Sequence, residues 1–155
     1  MATAAEIAGR PGDAQARLLL TELREAHGKL LAAMGQLDEL TRGPLPSKES
    51  IIDARWNISR ASLARRTLWN RIHAYLLVRA TGAAAVDLRK LQEGDMLLLR
   101  SSTAHVSRWT IFAVMREWAA YCEASRAIRW KMKAAIAAEQ RVLYPLLTSS
   151  TAWRN

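Results

Sequence analysis

Glu139 and His27 are the residues whose placement could support chemistry. The stretch AAIAAEQRVLYPLL, residues 134–147, is built from small and apolar side chains, yet it carries one carboxylate. Ile128, Met132, Ala135, Glu139, Val142 and Leu146 follow one another in steps of 4, 3, 4, 3 and 4. That spacing places Glu139 in the apolar seam of a helix rather than on its wet face. His27 falls in a similar seam, Leu20, Leu23, His27, Leu30, Met34 and Leu37, with steps of 3, 4, 3, 4 and 3. An ionisable group in a core seam needs a partner, because an unpaired buried charge is costly. An imidazole and a carboxylate meeting inside a helical bundle can share a structural hydrogen bond or ligate a metal.

His73 and His105 complete the histidine inventory. His73 stands four residues after Trp69, a spacing that suits aromatic packing on one helix face. His105 lies off the stripe formed by Ile111, Val114, Met115, Trp118 and Cys122, which places it at a helix end or in solvent. Cys122 is the only cysteine, so an intrachain disulfide and a zinc cluster of the usual Cys/His spacing are both excluded. The chain has no glycine-rich phosphate loop, nucleophile elbow, HExxH motif or paired-carboxylate site, so catalysis of a familiar kind has no support.

The elements that must position these groups are helical. Half of the 155 residues are hydrophobic, Gly and Pro are few, and β-branched alternation is missing, which predicts an all-α chain. Residues 1–12 read as a flexible N-terminal tail and 149–155 as a C-terminal one, with the domain over 13–148. Helix 1 is expected over 14–42, ended by Gly43-Pro44. Ser47 caps helix 2, which runs to about Ala80 and is closed by Thr81-Gly82. The short linker makes these two helices antiparallel neighbours. Residues 83–100 show only a short helical turn, punctuated by Gly94-Asp95. A single helix from Ala104 onward would span about 60 Å at 1.5 Å per residue. A domain of this size is only about 35–40 Å across. The expected break therefore falls at Glu123-Ala124-Ser125, with Ser125 capping helix 4 and Leu-Tyr-Pro ending it. Four amphipathic helices predict an up-down-up-down four-helix bundle in which the first and last helices are adjacent.

Two stretches resemble the hemerythrin-like, or HHE cation-binding, family. Residues 135–145 are similar to its last helix end, where the family pattern is His, three residues, Glu-Glu and a Leu-Phe/Tyr-Pro stop. Residues 23–30 look like its first-helix histidine motif. The resemblance covers about residues 14–148. It implies a metal site, iron or another transition metal, drawn from His27, His73, His105 and Glu139, and a role in oxygen, nitric oxide or iron sensing. The departures point to a degenerate site. Ala135 stands where the family has histidine, Gln140 where a second Glu often stands, Leu77 one turn after His73, and Trp109 one turn after His105.

The net charge of +9 favours an anionic contact such as an acidic protein or nucleic acid. Arg60, Arg65, Arg66, Arg71 and Arg79 read as a basic side of helix 2, and Arg126, Arg129, Lys131 and Lys133 as one of helix 4. No helix-turn-helix spacing or RNA-binding signature accompanies them. Trp109 and Phe112 face away from the helix 3 stripe, where they would line a homodimer surface or a pocket, or widen the buried face. No apolar run approaches a membrane span and no secretory signal opens the chain, so a cytoplasmic setting is expected. The expected role is a non-enzymatic binding or regulatory module.

Overall fold

A computed structural model describes residues 11–148, with side chains from Ala14 onward. The chain is all-α: five helices, α1 Pro11–Arg42, α2 Lys48–Leu77, α3 Gly82–Arg108, α4 Ile111–Arg116 and α5 Trp118–Thr148, with no strand among the described residues. The expected tails at 1–12 and 149–155 lie outside the described residues, except that Pro11 and Gly12 belong to α1. A proline fits the first helical turn, where its missing N–H has no intrahelical acceptor.

α1 packs along α2 and α5, and α3 packs along α5. The whole expected seam of α1 is buried, from Leu20 at 6% exposure to Leu23 and Met34 at 0%. One apolar cluster joins Leu19 and Leu23 of α1 to Leu68, Ile72 and Leu76 of α2, Leu88 of α3 and Leu143 and Leu147 of α5. A second joins Leu30 and Met34 to Met132 and Ile136, with Ile58 and Leu98 against it. Ile51, Trp109, Val114 and Tyr121 form a third. Burying each Leu or Ile side chain contributes about 1.5–3 kcal/mol, so these clusters are the main source of cohesion.

Several helix boundaries differ from the pattern-based expectation. Residues 83–100 are not a short turn: α3 runs unbroken through Gly94-Asp95. α2 ends at Leu77, and Gly82 opens α3 with φ 58, a left-handed conformation that glycine adopts without a Cβ clash. The break expected at Glu123-Ser125 occurs instead at Trp109-Thr110 and at Glu117. The Thr110 hydroxyl caps α4 by accepting from the Ala113 N–H at 3.3 Å. Ser125 starts no helix. It is buried in mid-α5, and its hydroxyl accepts from Arg129 Nη1 at 2.9 Å. The diameter estimate behind that break assumed a near-spherical domain, whereas the four long helices are 27–32 residues each.

Of the two aromatics off the expected stripe, Trp109 widens the buried face: it is 6% exposed, because the kink turns it onto Tyr121 with ring centroids 5.6 Å apart. Phe112 does not widen it and is 75% exposed. α5 also continues past Pro145 to Thr148. Proline inside a helix costs about 3 kcal/mol. Leu146 and Leu147, both buried just beyond it, offset that on the usual scale for buried leucines.

The glycines make the backbone reading testable. A Cβ at Gly28 or Gly94 would meet nothing within 4 Å, and both sit inside helices. Gly28→Ala and Gly94→Ala are each expected to raise unfolding free energy by about 0.5–1 kcal/mol in urea titrations. Gly82→Ala is expected to lower it by about 1–2 kcal/mol.

Candidate functional site

The four long helices each place one polar side chain in a single buried node. His27 comes from α1, Arg65 from α2, Asp95 from α3 and Glu139 from α5. His27 Nε2 donates to Glu139 Oε2 at 2.6 Å. The Arg65 guanidinium grips the same carboxylate with two arms: Nε donates to Oε2 at 3.2 Å, and Nη2 donates to Oε1 in a short contact. Nη2 also donates to Asp95 Oδ1 at 3.1 Å. On the other side of the imidazole, the Tyr144 hydroxyl lies 2.8 Å from Nδ1, with the rings stacked. Burial pushes the Tyr144 phenol above its ordinary value, so it keeps its proton. The Glu139 carboxylate can only accept, which places a proton on Nε2 of the imidazole.

The helix phase explains why these residues point inward. Arg65 stands three and seven residues before Leu68 and Ile72, both buried. Asp95 continues Leu88 and Leu91 in steps of three and four. His27, Arg65 and Glu139 are 1%, 5% and 3% exposed, so their polar groups are satisfied by one another rather than by water.

The four residues expected to bind metal do not converge. His27 and Glu139 meet. His73 is half-buried against Trp69, ring centroids 5.5 Å apart, and His105 against Tyr121 at 6.0 Å. No group of three His, Cys, Asp or Glu side chains with metal-ligand geometry occurs among the described residues. Both oxygens of Glu139 already accept from Arg65, and the imidazole proton occupies the nitrogen that faces them. The donor set therefore does not fit a transition metal, which needs free carboxylate and imidazole lone pairs. Burial raises the Cys122 thiol, which keeps it in the unreactive protonated form.

A second polar cluster sits lower on α5. Arg129, expected on a basic surface, is 2% exposed. It donates to Ser125 and to Thr41 Oγ1, and its Nε lies 3.1 Å from Asp38 Oδ1 without hydrogen-bond alignment. Asp38 also accepts from Lys133 at 3.1 Å. Spacing could have revealed Arg129, since Cys122, Ser125, Arg129, Met132, Ile136 and Glu139 are all buried in steps of 3, 4, 3, 4 and 3.

Arg129 also borders a large cleft. α2 and α3 follow each other in sequence but touch sparsely, and a cleft of about 800 Å³ opens between them down to α5. Ser59 and Ser62 on α2 and Ser102 and Thr103 on α3 line it, with side chains too short to close the gap. Ile52, Trp56 and Leu63, which form the weak apolar face of α2, flank it with 44–62% exposure. His105 lies in its wall, held below the ordinary histidine value by burial first and then by the Arg55 and Arg129 charges.

No family model, no curated protein and no solved structure matches the chain.

Glu139→Leu leaves the Arg65 guanidinium buried with Asp95 alone, and an expected loss of about 3–5 kcal/mol should appear in urea unfolding. Adding Arg65→Met to it should recover part of that loss, because the more deeply buried charge is removed, while Asp95, with its side chain 15% exposed, keeps some contact with water. His105 is held low in the folded state, so the unfolded chain takes up its proton first. Its contribution is complete above the ordinary value of 6.5 and is lost as pH falls through the lower folded value. The urea midpoint should fall over that acid window, and His105→Gln should flatten the fall.

Proposed function

We propose that the chain is a non-enzymatic helical-bundle binding module whose binding site is the α2–α3 cleft. In this reading the four long helices run up-down-up-down, with α4 in the last connection. The supporting observation is the order of residues through the apolar clusters. Leu19 and Leu23 of α1 share a cluster with the late α2 residues Leu68, Ile72 and Leu76, the early α3 residue Leu88 and the late α5 residue Leu143. The second cluster shifts each of these the other way: late α1 (Leu30, Met34), early α2 (Ile58), late α3 (Leu98) and the middle of α5 (Met132, Ile136). Such alternation is what antiparallel neighbours produce. The resemblance to hemerythrin-like proteins then rests on helix order and the His27–Glu139 contact, with the Arg65 guanidinium in place of a metal.

The cleft carries the functional reading. Its volume of about 800 Å³ lies within the roughly 300–1,000 Å³ of small-molecule sites. Its apolar walls are the exposed faces of α2 and α3, where Trp56, Leu63 and Val106 are each about 60% exposed. The groups best suited to acid–base work, His27 and Glu139, are sealed in the node and already paired, which favours binding over catalysis.

An uncharged, environment-sensitive dye tests this. Nile red fluorescence is expected to rise on the native protein and to lose most of that rise in Ser62→Phe, which fills the cleft, while the helical circular dichroism is retained. No rise, or a rise that Ser62→Phe leaves intact, overturns the assignment of the cleft.

A further inference from the structure

The geometry points to an anionic amphiphile, one carboxylate or phosphate head on an alkyl body, as the ligand of the α2–α3 cleft; this rests on the cleft being the binding site. The cleft offers both apolar and polar surface. Exposed apolar side chains line its mouth: Ile52, Trp56 and Leu63 on α2, Leu99 and Val106 on α3, all 38–62% exposed. Its buried lining holds the polar groups of Tyr121, Ser125 and Arg129, each no more than 2% exposed, beside Leu37 and Met132. A partner helix or a second copy of the chain would cover the mouth without reaching the buried lining. A small molecule with a polar head and an apolar body matches both.

The sign of the head follows from the charges. Arg55, Arg66 and Arg129 line the cleft, against one lining carboxylate, the exposed Asp53. Arg129 shares its Asp38 with Lys133, so that cluster keeps an excess positive charge. The Arg55 guanidinium donates to a neutral acceptor, the Trp109 carbonyl, at 2.6 Å. The half-buried Arg66 side chain makes no hydrogen bond or ion pair with the described residues, the Ser62 and Ser102 hydroxyls line the same part of the cleft, and the nearby Asp95 is already held by Arg65. A carboxylate or phosphate at Arg66 would gain a charge-assisted hydrogen bond, and a cation would meet net positive charge.

The test compares four ligands with one decyl chain, decanoate, decyl phosphate, decanol and decyltrimethylammonium, as competitors for Nile red on the full chain. Both anions are expected to bind about tenfold or more tighter than decanol, and the ammonium more weakly. A preference for one anion over the other tells carboxylate from phosphate. Arg66→Gln should remove most of the anion preference while leaving decanol nearly unchanged, and Arg66→Lys should keep part of it. Ser102→Asp, which adds a charge without removing an arginine, should invert it. Equal affinity for all four heads, with the dye displaced, overturns the inference and leaves the cleft as a binding site. Failure of the dye and all four ligands to bind overturns both. A dimer in light scattering that buries Trp56 and excludes decanoate assigns the mouth to a second copy and likewise overturns the inference.

Discussion

The Glu139 carboxylate, held between His27 and the two arms of Arg65, is the contact on which the rest of the structure depends. Three helices meet at that one group, and Asp95 ties the fourth to it through Arg65. Apolar layers tolerate sliding, since leucine packs nearly as well against one neighbour as another. A one-turn slip of about 5.4 Å would separate a buried charge from its partner. Buried ion pairs add little net stability over apolar residues of the same shape, but they penalise every arrangement in which a charge is stranded. The node therefore selects one register, while the leucine and isoleucine clusters on both sides supply the cohesion.

The same contact decides the chemistry of the interior. A guanidinium is planar, permanently charged and able to satisfy both carboxylate oxygens at once. With Arg65 in that position, Glu139 needs no metal to neutralise it, and Ala135 brings no further ligand. The interior becomes structural. On the α2–α3 side, short hydroxyl side chains leave a cleft open, and the side chains of Arg55 and Arg66 have no carboxylate partner among the described residues.

Much of this was legible from spacing. All six expected seam residues of α1 are buried, and the inference that Glu139 and His27 need each other follows from two independent helical phases. The remaining members of the node were hidden by residue type. Arg65, like Arg129 in the second cluster, lies in phase with buried apolar residues, but an arginine reads as surface because its charge is rarely buried unless paired. Asp95 was hidden by its neighbour. Gly94-Asp95 has the composition of a turn, yet the helix passes through it, because packing against α5 outweighs a glycine cost of about 1 kcal/mol. The break at Trp109-Thr110 escapes pattern reading for a related reason: no Gly or Pro marks it, and it is set by a threonine cap and by the burial of Trp109 on Tyr121. The cleft had a faint signature in the weak first-half seam of α2, where Ile52, Trp56 and Leu63 face one way without a partner helix.

The most direct measurement is a long-range nitrogen–proton NMR spectrum of the His27 imidazole during addition of equimolar Zn²⁺ or Fe²⁺. A ring locked between Tyr144 and Glu139 should show a protonated Nε2, and neither ring-nitrogen resonance should move as metal is added. Loss of the Nε2 proton with a metal-induced shift of that nitrogen would show that Glu139 and His27 are free to ligate, and would contradict the assignment of Arg65 as the partner that closes the node.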